Sequence, residues 1–163
     1  MSPVNDDIIE GFAIQLKKTA DAKAAAWCVI EAFFEKTDRY MDAVVYFADE
    51  KGLYLSQVAA YGPKIEVQQT INNPLFLERG EGIVGQVFDS GRSRILTDTS
   101  KNSNYIIDDR FRLSELAVPI IHKDRVFGVL DSEHTQEGFF TKEDQVIFEK
   151  VAELLGAHLA HIA

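Results

Sequence analysis

The chain has 163 residues, 46% of them hydrophobic and 26% charged, with a formal net charge of −9. This composition is typical of one globular domain with its own core. The negative charge argues against a nucleic-acid-binding protein, which needs a clustered basic face. We therefore expect a single domain over residues 1–163 that has no nucleic-acid partner.

The hydropathy pattern and the single cysteine argue against a membrane protein and a disulfide-stabilised protein. No run of about 18 apolar residues is present, so we expect no membrane-spanning helix. The N-terminal residues lack the basic start and apolar centre of a secretory signal, and we expect a cytoplasmic protein. A single cysteine, Cys28, excludes an internal disulfide and a multi-cysteine zinc site.

Two helices are predicted at the N-terminal end. Asn5 or Asp6 can cap an amphipathic helix that extends to about Ala20, because apolar side chains recur there at helical spacing. Asp21 opens a second, alanine-rich helix. The first helix (residues 1–20 with its cap) is short and amphipathic, which leaves it free to pack against a partner.

Short strands are predicted next. Residues 43–48 and 53–61 read as a hairpin, residues 65–71 as a short extended piece, and residues 75–77 as an edge strand. A short helix over 82–89 ends at Gly91, which suits a left-handed C-terminal position. A strand at 94–97 precedes a polar loop at 98–110, and loops of that length are usually functional or mobile.

A second hairpin and a last helix complete the chain. The apolar runs 116–121 and 126–130 flank a polar turn, and Pro119 predicts an edge position or a bulge. Thr141 and Asp144 match a capping box that starts a helix over 141–162. Its apolar side chains occupy more than one stripe, so one face can cover the sheet and another suits a parallel contact between two copies.

Helices followed by a mostly antiparallel sheet and a closing helix indicate an α+β fold. Five segments in register resemble the GAF family of small-molecule-sensing domains. They are a Gly-Ile-Val-Gly helix start at 82–85, a Ser-Gly turn, a short strand with a polar loop, a Val-Pro-Ile strand and a Gly-Val-Leu strand. The resemblance spans about residues 21–161. It implies a six-stranded antiparallel sheet with the terminal helices on one face and a ligand pocket, formed by loops and the short helix, on the other.

The resemblance also implies that the 98–110 loop covers the pocket. Asn104, Tyr105, Asp108 and Asp109 would offer amide, aromatic and acidic groups to a polar ligand. A solvated surface loop is the alternative. Val84 belongs to a helix start whose backbone N–H groups can bind an anion, although close packing of the helix on the sheet is the favoured interpretation.

Three acids form the sharpest candidate site. Asp131 and Glu133 share one strand face because they are two residues apart, and Glu115 lies opposite them if the hairpin register is tight. Such acids can hold a ligand ammonium group, or one of them can have a raised pKa. Solvent-facing charge at the strand ends is the alternative.

Within the GAF family, the chain resembles free methionine-(R)-sulfoxide reductases around these three acids, and the resemblance implies that the acids contact a ligand. The reductases carry cysteines where this chain has Val84 and Asp108. Thiolate chemistry needs those cysteines, and Cys28 reads as a buried, inert thiol. The departure predicts a binding domain and no enzyme.

We predict no cofactor. A metal cluster of Asp131, Glu133 and His134 is not favoured, because successive strand residues point to opposite faces.

The interpretation is therefore a cytoplasmic sensory domain for a small molecule. It would form a homodimer through its N- and C-terminal helices and act on a downstream signalling protein. Two alternatives stay open. One is a GAF-fold enzyme related to the reductases. The other is a ligand-free dimerisation module whose pocket is filled by side chains such as Phe88, Phe127 or Tyr105.

Overall fold

The computed structural model describes residues 4–62, 65–67, 69–71, 74–98 and 112–163. Its helices and strands are, in chain order, α1 (Asp6–Leu16), α2 (Ala22–Ala32), a 3₁₀ turn (Phe34–Lys36), β1 (Ala43–Ala48), β2 (Tyr54–Tyr61), β3 (Ile65–Val67), β4 (Thr70–Ile71), β5 (Phe76–Glu78), α3 (Gly82–Ser90), β6 (Arg94–Leu96), β7 (Ser114–His122), β8 (Arg125–His134) and α4 (Lys142–Ile162). None of the helices in these ranges combines the length and hydropathy that a membrane span requires.

Six of the strands form one antiparallel sheet in the order β5-β2-β1-β8-β7-β6. α2 and α4 pack on one face of it, here called the helix face, and α1 packs against both helices. α3 packs on the opposite face, here called the α3 face. The α+β architecture predicted from the sequence, with the terminal helices on one side and the short helix on the other, is confirmed.

Alternation along the strands divides the apolar side chains between two cores. The core of the helix face is the larger and includes buried Phe12, Phe34, Val45, Leu116, Leu130 and Phe148. The core of the α3 face includes Val44, Leu55, Val84, Ala117 and Val129. Strand residues next to each other in sequence, such as Leu116 and Ala117, therefore belong to different cores.

The first helix is shorter than predicted. It ends at Leu16 and not near Ala20, because tertiary contacts close it. The hydroxyl of Thr19 donates to the Leu16 carbonyl at 2.7 Å, and Nε2 of His158 lies 3.0 Å from the Thr19 carbonyl oxygen. These bonds tie the end of α1 to α4.

Two other elements differ from the prediction. The extended piece predicted at 65–71 is a separate two-stranded hairpin, β3 with β4, and Gln69 has a φ of 58° in its turn. β7 and β8 extend beyond the apolar runs at 116–121 and 126–130. Backbone pairing continues through the polar residues at the strand ends, and this places Glu115 on the hydrogen-bonded ladder.

Pro119 lies in an inner strand, yet its surroundings match the prediction in part. β6 pairs with Glu115–Ala117 and ends before Pro119, so this stretch of β7 lies beyond its β6 partner. The register between β7 and β8 shifts just after it, between Ile120 and Ile121. A proline, which has no backbone donor, is tolerated at such a position.

α4 begins at the predicted capping box. The Thr141 hydroxyl accepts from the Asp144 N–H at 3.2 Å, and the Asp144 carboxylate accepts from the Thr141 N–H at 2.8 Å. The same carboxylate accepts from Arg39 at 2.6 and 2.7 Å and from the Tyr40 hydroxyl at 2.7 Å. Burial alone would raise the pKa of Asp144, but the bonds from Arg39, Thr141 and Tyr40 hold it at about 2.

α4 also comes very close to the sheet. A β-carbon added at Gly156 would lie 2.7 Å from the carbonyl oxygen of Ile121. Only a residue without a side chain lets the helix backbone approach β7 to this distance. The start of α4 is thus fixed by Asp144, and its middle by contact with β7.

We expect Asp144→Asn to lower the free energy of unfolding at pH 7 by about 3 kcal/mol, because it leaves Arg39 and the cap without their charged acceptor. The folded pKa of Asp144 is depressed to about 2, so its stabilisation is present above about pH 4 and is lost as the pH falls towards 2. Urea unfolding should therefore show the difference between wild type and variant shrinking over that range.

Asp89→Asn is the matched control for this prediction. Asp89 pairs with Arg79 at 2.6 Å, but both side chains are about half exposed. Loss of an exposed pair should change the free energy of unfolding by less than about 1 kcal/mol. Equal effects of the two substitutions would contradict the structural role of Asp144.

Candidate ligand site on the α3 face

Three acids predicted from the sequence come together at one end of the β7–β8 hairpin. Glu115 pairs directly with Glu133, and Asp131 pairs with Ala117 one rung further along the same face. One carboxylate oxygen from each of Glu115, Asp131 and Glu133 lies within 4.8 Å of the other two. We call these three residues the acid cluster. The tight register on which the prediction for Glu115 depended is present.

The acid cluster is largely withdrawn from solvent. Glu115 and Asp131 are each 4% exposed, and Glu133 is half-buried. Burial raises the pKa of Glu115, and burial together with the neighbouring Glu115 raises that of Asp131 well above its usual range. The two carboxyl groups hydrogen-bond to each other, which requires a proton on one of them.

Two oxygens in the cluster receive no hydrogen bond from an N–H or another O–H donor of the described residues, apart from the proton that the two carboxyl groups share. They are Oε1 of Glu115 and Oδ1 of Asp131, and both are buried. Buried polar atoms are nearly always satisfied in folded proteins. Two exceptions in adjacent carboxyl groups mark a place where the protein alone does not complete the bonding, which is typical of a binding site.

A neighbouring network holds the backbone of β8 in place. Oδ1 of Asp42 accepts from the Glu133 N–H at 2.8 Å, and the Ser132 hydroxyl donates to the Asp42 carbonyl at 2.5 Å. The other carboxylate oxygen of Asp42 lies 3.2 Å from Nε of Arg112. Asp42 therefore fixes the strand that carries two of the three acids.

One basic residue on the adjacent strand acts on the cluster. Arg94 of β6 pairs with Ala117 of β7, and its charge opposes the rise in the pKa of Glu115 that burial causes. Its guanidinium donates to Gln86 of α3 at 2.9 Å. Sequence reasoning missed Arg94 and Asp42. Opposite charges on adjacent strands are a usable signal, but only once the sheet order is known.

The other predicted site residues are placed as follows. Val84 is buried in the core of the α3 face at 5% exposure. A β-carbon on the neighbouring Gly85 would lie 2.9 Å from the Glu78 carbonyl oxygen, so the glycine fits the close-packing interpretation of this helix start. Asn104, Tyr105, Asp108 and Asp109 lie outside the described residues.

Tyr46 and Gln57 add polar groups to the α3 face that were not predicted. The Gln57 amide donates to the Tyr46 hydroxyl at 2.8 Å and accepts from the Leu75 N–H at 2.9 Å. Gln57 lies two residues after Leu55 on β2 and therefore shares its face, so strand periodicity contained the signal for its inward position.

His134 and Cys28 do not join the acid cluster. The His134 ring stacks on Phe139 with centroids 3.6 Å apart, and its Nδ1 accepts from the Gln136 N–H. Cys28 is buried in the core of the helix face. Burial, together with the nearby Glu31, raises the pKa of its thiol to about 11.

A cavity of about 900 Å³ opens at the other end of the sheet. Its lining includes Phe47, Phe88 and Phe127. Phe47 pairs with Gly128 of β8, whereas Val44 pairs with Asp131, so this cavity and the acid cluster lie at opposite ends of the same strands. The aromatic residues expected to fill the pocket in the dimerisation alternative, Phe88 and Phe127, line this distant cavity.

We expect Asp131→Asn to stabilise the protein at pH 7 by about 1–3 kcal/mol after dialysis removes small molecules, because the amide replaces the shared proton without a buried charge. Raised folded pKa values mean that the folded state holds protons that the unfolded state releases. Wild-type stability should therefore fall as the pH rises above about 4, and that of the variant should fall less. Urea unfolding between pH 4 and 8 measures the free energy of unfolding of the wild type and of the variant. If the two free energies change with pH in parallel, the result would contradict the buried proton.

Comparisons with known proteins place this geometry in a family. The chain shares its fold with the GAF domain of an Acinetobacter phosphoenolpyruvate-protein phosphotransferase (19% identity, TM-score 0.79, covering 99% of this chain and 96% of that one). It is similar to a Burkholderia vietnamiensis protein classed provisionally as a GAF sensor (21%, 0.80, 96% and 94%). It is also similar to the Neisseria meningitidis free methionine-R-sulfoxide reductase in complex with its substrate (19%, 0.73, 98% and 94%).

A search of curated protein sequences finds no match. The family model described as GAF domain, however, matches residues 20–160. That range includes the whole six-stranded sheet, α2, α3 and nearly all of α4. The chain belongs to the GAF domain family.

Proposed function

We propose that this chain is a regulatory GAF domain that binds a small, positively charged ligand at the acid cluster and does not transform it. The observation that carries the proposal is a pair of buried carboxyl groups, on Glu115 and Asp131, in which one oxygen each receives no N–H or O–H donor from the rest of the described chain. A ligand cation would satisfy them and would compensate their charge.

The electrostatics of the site support a cationic ligand. Buried carboxylates are unfavourable unless a cation pairs with them. Arg94, whose charge acts on Glu115, donates its guanidinium hydrogen bond to Gln86, and the guanidinium of Arg112 pairs with Asp42. The shared proton between Glu115 and Asp131 reduces the charge of the acid cluster, and a bound cation would take over that role.

The structural relatives include an enzyme, and the comparison with it supports binding without catalysis. A free methionine-R-sulfoxide reductase with the same fold is known in complex with its substrate, and this chain resembles that enzyme class around the acid cluster. The class depends on thiolates, whereas this chain has a valine at 84. Cys28 lies in the opposite core with a raised pKa. Binding without thiol chemistry is the function that fits both facts.

Transmission would use the terminal helices. α4 contacts β7 and β8, which carry the acid cluster, and α1 is tied to α4 through Thr19 and His158. Ile14 and Val146, on these two helices, are 52% and 59% exposed, and we propose that they contribute to a homodimer contact. Ligand occupancy would shift the population of helix arrangements, provided that the ligand binds one arrangement more tightly.

Native mass spectrometry of the freshly purified full chain tests the binding function. We expect a dimer with extra mass that disappears on denaturation. Occupancy should drop at least about tenfold in the double variant Glu115→Gln, Asp131→Asn, which corresponds to about 1.4 kcal/mol of binding free energy. The exposed Glu137→Gln, in the turn after β8, is the matched control and should keep the ligand. Equal occupancy in the double variant would contradict binding at the acid cluster.

A thiol-dependent reduction assay on free methionine sulfoxide tests the enzymatic alternative. We expect no turnover above background, because the cysteine thiol is protonated at neutral pH and lies in the other core. Turnover by the wild type that disappears in Cys28→Ser would overturn the non-enzymatic proposal. Turnover that survives the substitution would show a contaminating reductase.

A further inference from the structure

We propose that the ligand cation held by the acid cluster is a hard divalent metal ion, Mg²⁺, Mn²⁺ or Ca²⁺, coordinated directly by Glu115, Asp131 and Glu133. This inference rests on the proposed function, because it concerns the same site and names the class of cation. An organic ammonium group is the competing occupant.

The donor set selects the class of metal. The cluster offers only carboxylate oxygens, which are the ligands that Mg²⁺, Mn²⁺ and Ca²⁺ prefer. The softer donors are directed elsewhere, since His134 stacks on Phe139 and Cys28 lies in the opposite core. A zinc or copper site would be expected to include such a donor.

The distances fit a single ion. One oxygen from each acid lies within 4.8 Å of the other two. Oxygens bind these ions at about 2.0–2.6 Å, so two oxygens on opposite sides of one ion are about 4.0–5.2 Å apart and adjacent ones are closer. The three carboxylates are therefore near enough to converge on one ion by side-chain rotation while the strands stay in place, and water or a ligand group can take the remaining coordination positions.

The sheet holds the acids in position before any ion arrives. They stand on two rungs of one strand pair, and strand backbones are among the most rigid supports for a site. Asp42 fixes the β8 backbone through the N–H of Glu133 and the hydroxyl of Ser132. Support of this kind behind the coordinating residues is typical of metal sites.

Burial and charge distinguish the metal from the ammonium group. Oε1 of Glu115 and Oδ1 of Asp131 receive no N–H or O–H donor from the rest of the described chain, and both residues are 4% exposed. A divalent ion supplies two positive charges to three carboxyl groups, whereas an ammonium group supplies one.

Electron paramagnetic resonance of Mn²⁺ with the full chain tests the inference. The protein is treated with a chelator, dialysed and titrated with MnCl₂, and MgCl₂ and CaCl₂ are then added as competitors. We expect a single Mn²⁺ per chain, with affinity at least about tenfold weaker in Glu115→Gln and in Asp131→Asn, since each removes a charged ligand. Glu137→Gln should bind as the wild type does. Because Glu133 is half-buried, Glu133→Gln provides a third ligand variant should either buried substitution fail to fold.

The outcomes separate this inference from the proposed function. Metal binding lost in the cluster variants and kept in Glu137→Gln supports both. Equal Mn²⁺ binding by all folded variants shows general surface association and overturns the metal site. If lysine or putrescine binds at the cluster in calorimetry while no metal does, the metal is overturned and the proposed function stands. Absence of binding by the metals and by both amines overturns both.

Discussion

The register of the β7–β8 hairpin is the constraint on which both the core and the candidate site depend. In this register Glu115 faces Glu133 and Asp131 lies beside them, while Leu116 and Leu130 point into the core of the helix face. Because strand side chains alternate, a slip of one residue would exchange the faces. Acids would then enter the apolar core, and leucines would replace them at the site. The packing energy of the larger core therefore also fixes the position of the acid cluster.

Two sets of buried acids in this fold differ in their hydrogen bonding and in the direction of their pKa shifts. Asp144 is buried, but it accepts bonds from Arg39, Tyr40 and the helix cap. Although burial opposes ionisation, these bonds lower its pKa to about 2. Glu115 and Asp131 are also buried, but among the described residues they bond only to each other, and burial raises the pKa of each. Asp144 contributes to stability, whereas the acid cluster opposes it unless a cation is bound. A fold that satisfies one acid fully and leaves two incomplete has the character expected of a binding site.

Periodicity and capping predicted most of the fold. The two strand hairpins, the short helix ended by Gly91 and the capping box of Thr141 with Asp144 all depend on nearby residues, so the sequence contains the signal. Features set by distant residues were missed. α1 ends early because Thr19 bonds to His158 of α4. Arg94 and Asp42 were not predicted as site residues, because their closeness to the acids depends on the order of the strands in the sheet. For the acids themselves, spacing predicted their shared face, but only the packed sheet decides whether a strand end is buried.

The strands that carry the acid cluster are also those on which α4 lies. α4 contacts β7 and β8, and Gly156 brings its backbone against Ile121 near the hairpin turn, at the other end of the strands from the acids. A cation that draws the three carboxylates together acts on one face of this strand pair, and α4 rests on its other face. Under the proposed function, any change in helix packing caused by the ligand has an equal reverse effect, because coupling between two binding events is reciprocal. A partner, or second copy, that favours one arrangement of α1 and α4 would therefore also change the affinity of the acid cluster for its cation by the same factor.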